Sequence, residues 1–163
     1  MTKILLLSDT HGHLDPVILK RAAEVDQVWH AGDIGQIEVT EQLKKTGPVK
    51  AVYGNIDGSD IRAEFPKELC FICDGVKVYI THIAGYPGRY NTMTRKAIEK
   101  QRPDLVICGH SHILKVMRDP SHGHLHMNPG AIGRHGFHQV RTMLRFNLNQ
   151  GQIQDLEVLE YKR

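Results

Sequence analysis

The sequence predicts a mixed α/β fold built as one domain over residues 1–163. Three observations carry this. Short apolar runs alternate with helical patterns through the first half, a tight hairpin signal opens the middle, and short runs suited to antiparallel pairing fill the remainder. A chain of 163 residues with 40% hydrophobic and 24% charged residues can bury a sizeable core. The same figures exclude a disordered polyelectrolyte and a fibre.

Ile4 to Leu7 is an unbroken apolar run, as expected of a strand covered on both faces. Asp15-Pro16 supplies an N-cap and an N1 proline for a helix carrying Ile18, Leu19, Ala22 and Ala23. Gln27 to His30 reads as a second strand, Ile37 to Lys45 as an amphipathic helix closed by Gly47-Pro48, and Val49 to Tyr53 as a third strand. This β-α-β-α-β rhythm calls for right-handed parallel crossovers. Leu69 to Cys73 and Val76 to Thr81 flank Asp74-Gly75, a type I′ hairpin signal. A helix follows from Asn91 to Gln101, then a buried strand from Leu105 to Cys108. Ile113 to Met117, Leu125 to Met127, Val140 to Asn147 and Ile153 to Glu160 read as antiparallel strands, with a turn at Asn149-Gln150-Gly151.

The net charge of +3 comes from scattered basic residues, and aromatics make up only 6%. That offers no groove for a long nucleic-acid strand, leaving a nucleotide or short oligonucleotide within reach. Three cysteines rule against a disulfide framework, and Cys70, Cys73 and Cys108 read as buried thiols. The first apolar run is too short for a signal segment or membrane span, so a cytoplasmic protein is expected.

The chemistry gathers at strand ends. Ser8-Asp9-Thr10-His11-Gly12-His13 follows the first strand, Gly32-Asp33 the second and Gly54-Asn55-Ile56-Asp57 the third. Thr81-His82 and Gly109-His110-Ser111-His112 close two later ones. In an open α/β sheet, ligands bind beyond the carboxyl ends of the strands, so these knots should converge. Two Asp, one Asn and four His suit Mn²⁺, Fe²⁺ or Zn²⁺ better than Ca²⁺. Seven donors exceed one tetrahedral shell and fit two ions, which together generate hydroxide near neutral pH and clamp an in-line displacement at phosphorus.

Asp9-x-His11, Gly32-Asp33, Gly54-Asn55, His82, Gly109-His110-Ser111-His112 and Asn128-Pro129-Gly130 resemble the motifs of the calcineurin-like metallophosphoesterases. The likeness is to their small bacterial and archaeal phosphodiesterase branch, the YfcE-like proteins. The resemblance implies a four-layer α-β-β-α sandwich of two mixed sheets. It also implies two divalent ions, Mn²⁺ first among Ni²⁺, Fe²⁺ and Zn²⁺. By position, Asp9, His11 and His112 match ligands of the first ion. Asn55, His82 and His110 match those of the second, and Asp33 the bridging carboxylate. A hydroxide shared by the ions would attack the phosphorus of a small phosphoester.

Two positions depart from the family pattern. Ile56 stands where relatives carry His or Cys, and Ile83-Ala84 follows His82 where many continue with Gly-His. Ile56 cannot protonate a leaving group, so esters with acidic leaving groups should react best. His13 and His135 are the candidates to contact the phosphate or the leaving oxygen in its place. His122, His124 and His126 alternate, as on one solvent-facing strand. His30 and His138 are expected to be structural. A phosphodiesterase is the leading expectation. A phosphomonoesterase and a catalytically silent scaffold that docks a protein partner stand as alternatives, and homo-oligomer formation is left open.

Overall fold

The structure is a computed structural model that describes residues 1–163. Its first sheet has the order β10-β9-β1-β2-β3, with β1 Thr2–Leu7, β2 Gln27–His30, β3 Val49–Ala51, β9 Val140–Asn149 and β10 Gln152–Lys162. The second has the order β4-β5-β6-β8-β7, with β4 Glu68–Cys73, β5 Val76–Thr81, β6 Leu105–Ile107, β7 Leu114–Arg118 and β8 Leu125–Pro129. Strands β1, β2 and β3 pair in parallel, as do β5, β6 and β8.

The period-two alternation of β1 explains the layering. Ile4 and Leu6 face a core between the sheets, shared with Trp29, Val78, Ile80, Ile107 and Met127. Leu5 and Leu7 face the other way, onto Ile18 of α1 (Pro16–Ala23), Val39 and Leu43 of α2 (Ile37–Lys44) and Ile61 of α3 (Ser59–Glu64). On the far side, Tyr79 and Val106 pack on Ile98 of α4 (Thr92–Gln101). The result is the α-β-β-α sandwich. Helices α1 and α4 are capped by side chains, since Asp15 accepts the Ile18 N–H at 3.1 Å and Asn91 the Thr94 N–H at 2.8 Å.

Several expectations need correction. Helix α3 went unread, because Ser59–Glu64 has a single buried apolar residue, Ile61, and so no periodicity to detect. Strand β8 pairs antiparallel with β7, as expected, but on its other edge it runs parallel to β6. Cys70 is exposed, whereas Cys73 and Cys108 are buried. The histidine ladder is not a solvent-facing strand: His122 and His124 precede β8, and His124 and His126 are buried. Tyr90 explains their burial, its hydroxyl lying 2.9 Å from His124 Nε2 and 2.8 Å from His126 Nδ1.

His30 is fully buried in its neutral form. Its Nδ1 accepts the Gly32 N–H at 3.1 Å, and its Nε2 lies 3.0 Å from the Thr10 hydroxyl. Burial pushes the imidazoles of His30 and His126 down to about 4. Between the unfolded value near 6.5 and about 4, the unfolded chain binds protons that the native chain does not. Stability therefore falls as pH drops through that window, by roughly 3 kcal/mol for each histidine. Urea unfolding of the metal-free protein at pH 7 and pH 4.5 checks this. His126→Gln should have the shallower pH dependence, and equal slopes would contradict the assignment.

Candidate metal centre

All seven predicted donors meet at the carboxyl ends of the parallel strands. They form two groups, Asp9 with His11 and His112, and Asp33 with His82 and His110, each able to converge on one ion. Asn55 joins the second group, its Oδ1 lying 3.1 Å from His110 Nδ1. Asp33 Oδ2 stands between the groups, 3.4 Å from His11 Nε2 and 3.2 Å from His82 Nε2. Asp9 Oδ1 lies 3.2 Å from His112 Nε2 and 3.8 Å from His11 Nε2.

Each carboxylate has one oxygen tied and one free. Asp9 Oδ2 accepts from the Ser8 hydroxyl at 2.6 Å and the His110 N–H at 3.1 Å, which leaves Oδ1 to the centre. Asp33 Oδ1 accepts the Ile56 N–H at 3.1 Å, which leaves Oδ2. His82 Nδ1 is bound to the Ala31 carbonyl at 2.7 Å, so that Nε2 faces inward.

Three buried atoms at the centre, Asp9 Oδ1, His11 Nε2 and His82 Nε2, have no hydrogen-bond partner. Buried polar atoms are ordinarily satisfied, so three orphans converging on one spot fit a divalent ion there. The electrostatics agree. Burial alone would raise the Asp9 and Asp33 carboxyls, but the surrounding imidazoles hold both well below the usual range. In turn, Asp33 and Asp9 lift His11 to about 9. The site demands positive charge, which protons meet in the absence of metal.

A model of the calcineurin-like phosphoesterase superfamily domain matches residues 2–151. The chain belongs to that superfamily. A probable metallophosphoesterase of Mycoplasma pneumoniae is 30% identical to it over 164 residues, 96% of each chain. A solved archaeal phosphodiesterase superimposes with a TM-score of 0.69 at 26% identity, covering 96% of this chain and 99% of that one. Vps29 of Entamoeba histolytica, solved in complex with Zn²⁺, gives a TM-score of 0.75 at 15% identity over 98% of both chains. That last likeness is one of fold.

The candidate centre is built on unusual backbone. Asp9, His11, Asp33, His110 and His112 all have positive φ, between 46° and 72°. Non-glycine residues enter this region at a cost of about 1 kcal/mol or more each, and such strain collects at functional sites. The neighbouring glycines are needed for another reason. A Cβ on Gly54 would collide with Asp33, and one on Gly109 with Ser8 and Asp9. They make room for the donors themselves.

Asp57 is the residue that sequence reasoning left without a role. It is 3% exposed and accepts three backbone N–H groups, from Ile34 at 3.1 Å, Gly35 at 2.8 Å and Gly54 at 2.7 Å. One carboxylate thus clamps the Asp33 loop to the Asn55 loop. Its only signal was its place two residues after Asn55. Asn128 does similar work, donating to the Gly109 carbonyl at 2.9 Å and the Ser111 hydroxyl at 3.1 Å. His135 stacks on His11 with ring centroids 4.8 Å apart, whereas His13 places Nε2 3.0 Å from Asp15 Oδ2. Ile56 is 46% exposed beside Asn55.

Proposed function

We propose that this member of the superfamily is a dinuclear-metal phosphodiesterase. The observation that carries the reading is the complete donor set, arranged as two groups about Asp33 with three orphaned atoms facing inward. Asp9, His11 and His112 would hold one ion, and Asn55, His82 and His110 the other, with Asp33 shared. Bound there, two divalent ions (Mn²⁺ foremost) supply an activated water and Lewis acidity toward the phosphoryl oxygens.

The chain's own residues set the rest. The Ser8, Ala31 and Ile56 contacts fix the donors before substrate arrives, which removes reorganisation from the reaction. Ile56 has no proton to give, so leaving groups that depart as stable anions are favoured. Of the two histidines considered in its place, His135 has the better claim. It lies against His11, while the His13 ring is engaged with Asp15, which also pairs with Arg141 at 2.7 Å.

The competing scaffold reading draws on the apolar rim at Ile56 and on the likeness to Vps29 folds. One assay separates the readings. Metal-free protein is reloaded with Mn²⁺, Ni²⁺, Zn²⁺ or Mg²⁺ and given aryl phosphate diesters and monoesters. Metal-dependent turnover favouring diesters is expected. No turnover with any ion supports the scaffold, and a preference for monoesters overturns the diesterase assignment.

A further inference from the structure

Two cavities flank the second ligand group, and their linings differ in character. One, of about 310 Å³, is lined by Ile83, Tyr86, Ile113, Lys115 and the ligand residue His110. The other, of about 400 Å³, is lined by Tyr53, Arg62, Lys67 and the ligand residues Asn55 and His82. Ile83 borders both. Asn55 Oδ1 and His110 Nδ1 are 3.1 Å apart, so the cavities meet where a phosphate held at this group would sit. Neither lining contains a carboxylate.

The first cavity presents apolar surface to solvent, with Ile83 41% exposed, Tyr86 41% and Ile113 62%. Its one charge, Lys115, lies over the Tyr86 ring at 4.2 Å. Exposed apolar side chains gathered beside polar ligands are the usual make-up of a small-molecule pocket. A cavity of 310 Å³ exceeds the roughly 150 Å³ that holds a benzene ring, so it accommodates an aromatic or similarly bulky group.

The second cavity is cationic. The Arg62 guanidinium lies over the Tyr53 ring at 4.6 Å and is anchored to the Asp57 carbonyl at 2.6 Å and the Asn55 carbonyl at 3.3 Å. Those bonds use Nε and Nη2 and leave Nη1 without a partner. Lys67 lines the same cavity, whose lining holds no acid. A pre-positioned guanidinium with a spare donor and a neighbouring ammonium suit a carboxylate or a second phosphate.

We propose that these cavities are subsites for the two ester arms of the substrate, which is a phosphodiester carrying an apolar or aromatic arm on one side and an anionic arm on the other. The apolar arm enters the Ile83–Tyr86–Ile113 cavity, and the anionic arm reaches Arg62 and Lys67. This assignment rests on the diesterase reading and deepens it, because a monoester has an arm for only one cavity.

The test is equilibrium binding, which needs no turnover. Mn²⁺-loaded protein is titrated calorimetrically with two phosphinates, methyl(phenyl)phosphinic acid and (2-carboxyethyl)(phenyl)phosphinic acid, whose arms are both joined to phosphorus through carbon and so cannot be hydrolysed. The carboxyethyl phosphinate is expected to bind about tenfold more tightly. Arg62→Gln combined with Lys67→Gln should remove that preference, and Lys67→Gln alone, which breaks no internal hydrogen bond, should reduce it. Ile113→Ser should weaken both probes several-fold while keeping their ratio. Equal affinities in the wild type, or a preference that survives the double variant, would overturn the subsites. A preference found in a protein that turns over no diester would uphold the subsites and count against hydrolysis. Turnover without the preference would do the reverse.

Discussion

Replacing Asp33 by Asn should lower kcat/KM for bis(4-nitrophenyl) phosphate by about a thousandfold or more while leaving the fold intact. Asp33 Oδ2 lies close to donors of both groups, 3.4 Å from His11 Nε2 and 3.2 Å from His82 Nε2. Asparagine keeps an oxygen for the Ile56 N–H, so the loop has no reason to move. It removes the shared negative charge and turns a donor NH₂ on the imidazoles, which repels cations from the place that should bind two. Steady-state kinetics together with metal content by elemental analysis checks this. Activity within tenfold of wild type, at full metal occupancy, would contradict the role given to Asp33.

Asp57→Ala should cost about 4 kcal/mol of stability, a larger loss than removal of any ligand produces in the metal-free protein. The variant leaves three backbone N–H groups, of Ile34, Gly35 and Gly54, without an acceptor in a buried spot. It also unties Asp33 from Asn55, so metal affinity should fall even though Asp57 has no place among the proposed ligands. Asp57→Asn keeps one acceptor oxygen and should fall between. Chemical denaturation read against metal affinity tests both halves. A loss below about 1 kcal/mol would show that water or loop movement satisfies the donors instead.

The contrast between these residues shows what a sequence makes legible. Asp9, His11, Asp33, Asn55, His82, His110 and His112 could be read because each sits just past an apolar run, and strand direction alone carries such ends to one rim. The inter-sheet core was equally readable from β1, whose every residue from Ile4 to Leu7 is fully buried. Asp57 was not, because its work is done through backbone N–H groups of loops whose conformation no side-chain pattern encodes. The left-handed backbone at five of these seven residues was hidden for the same reason. His124 and His126 were misplaced because alternation implies a strand but not what covers it, and the cover comes from Tyr90, far away in the chain. Arg62 escaped notice along with α3, the short helix that carries it.

The most direct test of the central claim is hydrolysis of bis(4-nitrophenyl) phosphate measured against bound metal, in protein stripped with chelator and reloaded stepwise with Mn²⁺. A dinuclear centre predicts no turnover in the stripped protein and a rate that rises to a plateau as occupancy reaches two ions per chain. Hydrolysis that survives stripping, or a plateau at one ion per chain, would contradict it.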